Sequence, residues 1–172
     1  MLAGCNRLIA YAGDVVNIER NELWLVLEFL NSIDVEEGTD ELASTAGWEA
    51  WLSAHDLPVA PRTQAAALAL RESLRAATGG QSIEPPSVGV TIAVDSDGRP
   101  MLVGADALGQ IAAAAATLGI DGRWGRVKLC PADDCRWAFY DLTRNRSRQW
   151  CSMAVCGARK KSRDFRARRA RR

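Results

Sequence analysis

The chain has one histidine in 172 residues, and that scarcity removes several kinds of chemistry at once. His55 is followed by Asp56, but adjacent side chains rarely orient each other as an acid–base dyad. No Gly-x-Ser-x-Gly elbow and no phosphate-cradling glycine loop accompanies it. Long apolar runs are absent too. Nothing approaches the ~20 residues that a membrane-spanning helix needs. The stretch from Leu8 to Ala12, with Arg7 before it, is too short and interrupted for the apolar region of a secretory signal. The chain contains no internal repeat. These absences point to a cytoplasmic protein with no membrane partner and no catalytic role, and they make His55 a surface or capping residue.

With 48% hydrophobic and 25% charged residues, the chain can bury a core, and its length suits one sizeable domain plus a small module. The formal net charge of +1 conceals a division. Residues 1–120 carry 6 Lys/Arg against 16 Asp/Glu, whereas residues 121–172 carry 16 against 5. An acidic body of residues 1–120 is followed by a basic segment of residues 121–172.

The body is expected to be mostly helical with one β-hairpin. Leu23, Val26, Leu27, Leu30 and Ile33 recur at helical spacing within a predicted helix from Glu19 to Ile33. Trp24, Leu25 and Phe29 widen its apolar face, so burial on most sides follows. Residues 36–45 contain Gly38 and read as a loop. Thr45 is placed to cap a short helix carrying Trp48, Trp51 and Leu52. The two tryptophans suit a core, with a ligand pocket as the less economical reading. Thr63 opens a helix over 64–77, stopped by Gly79-Gly80. Val88, Val90, Ile92 and Val94 alternate as a strand, Asp95-Ser96-Asp97-Gly98 turns, and Arg99 to Val103 returns. Leu108, Ile111, Ala115 and Leu118 mark a last body helix over 105–118.

Four of the five cysteines cluster at the C-terminal end, as C-x4-C-x15-C-x4-C: Cys130, Cys135, Cys151 and Cys156. Two knuckles, each offering two thiolates and separated by a hairpin-sized insert, suit one structural zinc ion. A reducing cytosol favours metal over disulfides for such a set. Cys5 has no partner pair and reads as an incidental or buried thiol. A module of this size needs a staple to fold. No histidine or glutamate lies within it, so a zinc held by four thiolates is closed to substrate. Trp137, Phe139 and Trp150 would pack around the metal. Beyond Cys156 the tail, a basic helix or a disordered segment, runs to Arg172 with nine Lys/Arg and one acid, Asp164. Together with Arg144, Asn145, Arg146 and Arg148 between the knuckles, it suits a polyanion. Arg159, Lys160, Arg163 and Arg166 are the tail's candidate contacts.

Leu129-Cys130-Pro131, Cys135, Trp137-Ala138-Phe139-Tyr140-Asp141, Thr143-Arg144-Asn145, Arg148-Gln149-Trp150-Cys151-Ser152-Met153 and Cys156-Gly157-Ala158-Arg159 resemble the CGNR zinc-finger family of bacterial transcription regulators. The resemblance covers residues 126–165. One departure stands out: Ala158 occupies the position of the family's asparagine, which leaves the thiolates intact but removes any hydrogen bond that asparagine makes. Leu25-Val26-Leu27-Glu28-Phe29-Leu30-Asn31-Ser32 is similar to the opening helix of the companion ABATE domain. The resemblance implies an α+β protein: a mostly helical sensor or dimerisation domain followed by a treble-clef-like zinc module that binds double-stranded DNA near the nucleoid. It makes Glu28 and Asn31 candidates for an effector site, three residues apart on one helix face. A homodimer and a small-molecule effector fit the same reading. The alternatives are an RNA-binding finger, whose exposed aromatics would stack on unpaired bases, or a ligand-binding body that uses the module for assembly.

Overall fold

A computed structural model describes residues 22–58 and 64–170. The expectations placed on Cys5, on residues 8–12, on the helix start at 19–21, on Thr63 and on Arg171 and Arg172 lie outside the described residues. The fold is α+β, with small antiparallel hairpins set among helices. Among the described residues, no helix is long and apolar enough to cross a membrane.

The first helix, α1 (Glu22–Leu30), is buried on two sides, as its wide apolar face requires. Leu23, Val26, Leu27 and Leu30 pack with Ala114, Ala115 and Leu118 of the last body helix, α4 (Ala107–Ile120). Phe29 turns the other way, against Trp48 and Trp51 of α2 (Thr45–Ala54). The helix ends at Leu30, so Ile33 is not on it. Ile33 instead opens a minimal hairpin, β1 (Ile33–Asp34) with β2 (Thr39–Asp40), whose second strand lies in the segment expected to be loop. Gly38, at φ +66°, makes the turn, a conformation that costs a glycine little.

A buried cation explains why this polar segment orders. Arg71 of α3 (Gln64–Thr78) is 2% exposed and forks onto Asp40 at 2.7 and 2.8 Å, with Ser32 at 3.1 Å. Hydrogen bonding from Arg71 holds the Asp40 carboxyl below its ordinary range. Two-pronged guanidinium–carboxylate pairing fixes geometry as well as energy.

Capping refines the expected helix starts. Ser44, not Thr45, caps α2 by accepting from the Gly47 amide at 3.1 Å, and Asp106 caps α4 by accepting from Gly109 at 2.7 Å. The expected hairpin forms around Asp95–Gly98, as β3 (Val90–Val94) and β4 (Pro100–Gly104), with Val94 paired to Pro100 and Val88 outside the strand. Its alternating face is largely open, with Ile92 74% and Val94 66% exposed. Only the Gly104 end is pressed onto α4. A Cβ at Gly104 would lie 1.9 Å from the Gly109 carbonyl carbon, so the close approach demands glycine there.

The C-terminal segment docks on this body rather than hanging from it. After a short 3-10 turn, Trp124–Arg126, β5 (Val127–Leu129) pairs with β6 (Ala138–Tyr140). Val127 and Ala138 complete the apolar cluster of α1 and α4, with Trp124, Leu129 and Tyr140 at its margin. A single-turn π-helix, Met153–Gly157, leads into α5 (Ala158–Ala170), so the tail is a helix through Ala170.

Candidate metal centre and its surroundings

The first knuckle is a strand-end turn. The Cys130 amide donates to the Trp137 carbonyl at 2.8 Å, and the Cys135 and Arg136 amides turn back onto Ala132. Arg136 adopts φ +55°, which reverses the chain into β6. The second knuckle follows the insert. Ser152 accepts from the Val155 amide at 3.3 Å and opens the π-turn that carries Cys156. Gly157 packs against Met153 and Trp150; a Cβ there would meet the Met153 sulfur at 2.5 Å.

Folding brings the four sulfurs of Cys130, Cys135, Cys151 and Cys156 within 4.8 Å of one another. Cys151 is 3.6 Å from both Cys135 and Cys156, far outside disulfide bonding distance. Zinc–sulfur bonds of ~2.3 Å in a tetrahedron put sulfurs about 3.8 Å apart, so the cluster fits one zinc ion held by four thiolates. The ion's part is structural: it neutralises and ties together the two knuckles. Without a cation the set cannot ionise together. Hydrogen bonds from the Cys135 and Cys151 side chains pull the Cys130 thiol down. The Cys135 and Cys151 thiols are pushed up, first by their hydrogen bonds to Cys130, and Cys156 is pushed up first by burial. A divalent ion would take all four as thiolates, with release of protons.

Trp137, Trp150 and Val155 cover the cluster. Phe139 does not join them; it is buried beneath the Arg148 guanidinium, 5.0 Å from the ring centroid. Arg148 binds the second knuckle through its backbone, donating from Nε to the Trp150 carbonyl at 2.9 Å and from Nη2 to the Cys151 carbonyl. The insert is organised by a motif residue to which the sequence assigned no role. Asp141 is fully buried and accepts from Lys128 Nζ at 2.7 Å, from the Thr143 hydroxyl and amide at 2.6 and 2.9 Å, and from the Arg148 amide at 2.9 Å. Burial alone would raise its carboxyl; the Lys128 ammonium and the Thr143 and Arg148 donors outweigh that and hold it at about 2. Lys128 is itself saturated, donating also to the Arg146 and Arg148 carbonyls.

The remaining basic residues divide by partner. Arg159 pairs with Glu36 of the β1–β2 turn at 2.5 Å, and both Arg159 and Arg163 reach Asp134 of the first knuckle, at 3.9 and 3.3 Å. Lys160 pairs with Asp164 one turn on. Arg144, Asn145, Arg146 and Arg166 are exposed and hold no ion pair among the described residues. So are Lys161 and Arg168, which fall on the opposite side of α5 from Arg159 and Arg163, and neighbouring Arg169 lies 5.9 Å from the Phe165 ring. These three were not singled out from sequence, and only the pairing of their neighbours distinguishes them. Ala158 is exposed at the start of α5 and supplies none of the four sulfurs.

Glu28 and Asn31 separate in role. The Asn31 amide pairs with the β6 backbone like a strand residue, donating to the Ala138 carbonyl at 3.0 Å and accepting from its amide at 2.7 Å. Buried Arg75 bridges the same junction, from the Leu30 carbonyl at 2.6 Å to the Arg136 carbonyl at 2.9 Å. Asn31→Ala leaves both Ala138 groups without their partner, and urea denaturation should show a loss of about 2 kcal/mol. Glu28 instead borders a hollow, with its carboxylate 3.8 Å from His55 Nε2.

Comparison with known families follows this division. The CGNR zinc finger family model matches residues 126–169, spanning both knuckles and α5. The ABATE family model, described as "Putative stress-induced transcription regulator", matches residues 24–122, the body. No curated protein matches the chain. Since the body match covers more than half of the 172 residues and the cysteine module follows it directly, the chain belongs to the ABATE family and carries a C-terminal CGNR zinc finger.

Proposed function

We propose that this regulatory zinc-finger protein binds double-stranded DNA, with the zinc ion serving as scaffold and the surrounding arginines as contacts. The observation that supports this most is the set of exposed cations around the module with no acidic partner among the described residues: Arg144, Arg146, Lys161, Arg166, Arg168 and Arg169. A cation already neutralised within the protein adds little to phosphate binding. Arg159 and Arg163 would therefore contribute only if DNA displaced Glu36 and Asp134. Arg148 positions the second knuckle, and Asn145 lies beside Arg144 and Arg146 as a neutral donor. Contacts of this kind go mainly to phosphate, which positions the protein without choosing a sequence. The unit of residues 121–172 would carry these contacts and residues 1–120 the sensing or pairing surface. Action on DNA places the protein in the cytoplasm, at the nucleoid.

Recognition of unpaired RNA bases has less support. Trp137 and Trp150 cover the cysteines and Tyr140 lies against the body, so none is a freely exposed stacking platform. Neither matched family is an enzyme family, and the site's chemistry is that of a closed scaffold.

Titration of the zinc-loaded protein against duplex DNA at several salt concentrations tests the proposal. With about five phosphates neutralised, log K should fall against log salt with a slope of roughly −4 to −5. The triple variant R144A/R168A/R169A should reduce the slope by about 3. A flat dependence overturns the reading.

A further inference from the structure

The body and the finger together enclose a hollow of about 490 Å³, bordered by Glu28 of α1, by Trp51 and His55 of α2, and by Trp137 just before β6. Asn31 and Glu41 complete its polar border, and no lysine or arginine lines it. The volume is within the range of small-molecule sites. Its chemistry follows from the one histidine of the chain.

His55 Nδ1 lies 2.7 Å from the Trp51 carbonyl oxygen. A carbonyl can only accept, so Nδ1 carries the proton and donates. Ring stacking against Trp51, with centroids 3.9 Å apart, and against Trp24 holds the imidazole in that orientation. The side chain is 9% exposed. In the neutral ring Nε2 is then an acceptor, and the nearest charged group to it is another acceptor, the Glu28 carboxylate at 3.8 Å. Two acceptors thus face one another at the hollow, with no donor between them among the described residues. Both acceptors open onto the hollow, and an N–H group placed there could donate to both at once. The faces of Trp51 are taken by His55 and Trp48, so half-buried Trp137 is the indole left to a ligand, and the Glu28 charge favours a cation.

We propose that this hollow binds an organic ammonium ligand, a primary amine with an apolar or aromatic body, whose N–H groups bridge Glu28 and His55 while its body lies against Trp137 and the edge of Trp51. Such a ligand would touch both halves of the protein. Trp137 packs on the cysteine cluster, its carbonyl accepts from the Cys130 amide, and the next residue is the one that Asn31 clamps. Occupancy would therefore be felt at the first knuckle. The inference does not depend on DNA being the finger's target.

The test uses the full-length, zinc-loaded protein and phenethylamine as probe, with 2-phenylethanol and 3-phenylpropionate as neutral and anionic counterparts. Because His55 is the sole histidine, its ring nitrogen resonances report the site without ambiguity. Phenethylamine should shift Nε2 saturably, and neither counterpart should. Glu28→Gln, at a half-exposed position that the fold does not depend on, should weaken the amine about tenfold or more. Trp137→Phe should weaken it less while leaving the zinc content intact. No saturable shift with the amine, an equal response to 2-phenylethanol, or unchanged binding in Glu28→Gln would each overturn the proposal.

Discussion

Replacing Cys130 by Ser should remove stoichiometric zinc and unfold the C-terminal module. Cys130 is wholly buried and its sulfur lies within 4.8 Å of the other three. Structural zinc in modules of this size supplies on the order of 10–16 kcal/mol of apparent binding free energy, most of it folding free energy. A serine hydroxyl does not ionise at neutral pH and cannot replace the thiolate. The loss should not stop at the module. Val127 and Ala138 belong to the same apolar cluster as Leu23, Val26, Leu27 and Leu118, so releasing β5 and β6 exposes the face shared by α1 and α4. Zinc quantification should fall from one ion per chain toward none, and thermal unfolding of the whole protein should shift down or lose cooperativity. Chelation of the wild-type protein should reproduce both effects. Full zinc occupancy with an unchanged melting curve in Cys130→Ser would contradict the assignment. Acid should act in the same direction, because protonating the thiolates releases the metal.

The second large effect should come from Asp141→Asn. The wild-type carboxylate gathers the Lys128 ammonium, the Thr143 hydroxyl and two amides in a site with no exposure. Asparagine keeps the shape but presents one oxygen and an NH2 group, which faces donors where it should accept. Lys128 then lacks its counter-charge. Breaking a buried pair from one side costs about 3–5 kcal/mol, and the partly exposed Lys128 puts the expectation near the lower end, about 3 kcal/mol by urea denaturation. The pH dependence has a definite sign. Asp141 sits at about 2 in the folded protein, below its ordinary 3.8. Its contribution is therefore fully present above the unfolded value and is lost as pH falls from about 5 toward 2, amounting to about 2 kcal/mol. Asp141→Asn should lack that component of acid destabilisation. Zinc release occurs in an overlapping range, so the informative quantity is the difference between wild type and variant at each pH. An Asp141→Asn protein as stable as wild type at neutral pH would show that Lys128 is served adequately by the Arg146 and Arg148 carbonyls alone.

Both predictions concern the finger, yet its coupling to the body shapes each of them. The junction combines apolar packing with two polar clamps, Asn31 onto Ala138 and Arg75 onto Leu30 and Arg136. Arg159 adds a third link, to Glu36. Among the described residues, the acidic body reaches the basic tail through one ion pair, and most of the tail's charge remains outward. A ligand in the hollow beneath Trp137 would act on a junction already held in one geometry, which is the condition for binding energy to be transmitted rather than dissipated.

The helix placements were legible because each depends on neighbours three or four residues apart. Leu108, Ile111, Ala115 and Leu118 are all buried, as their spacing on α4 requires. The cysteine set was legible for a related reason: a chelate constrains spacing within each knuckle, and no other clustered thiols compete. The hairpin's alternation was visible, but which face meets the core was not, because α4 covers only its Gly104 end. Ile33 was misplaced because apolar periodicity continues past the residue where the helix actually stops. Arg71 and Arg75 look in sequence like solvent-facing charges on an amphipathic helix. Their burial depends on Asp40, 31 residues away, and on the Leu30 and Arg136 carbonyls, 45 and 61 residues away.

By itself, then, the sequence determined the zinc ligands, the order of a helical body and a basic finger, and the concentration of positive charge beside the metal site. These are properties of composition and local period, and they survive whatever partners the residues later find. Tertiary structure decided which cations remain available, that Arg148 serves the knuckle, that Asn31 clamps the two halves, and that Glu28 and His55 meet at a hollow completed by Trp137. Each of these depends on groups brought together across tens of residues of chain. A hydrogen bond spanning 107 positions, such as that between Asn31 and Ala138, leaves no mark on local periodicity.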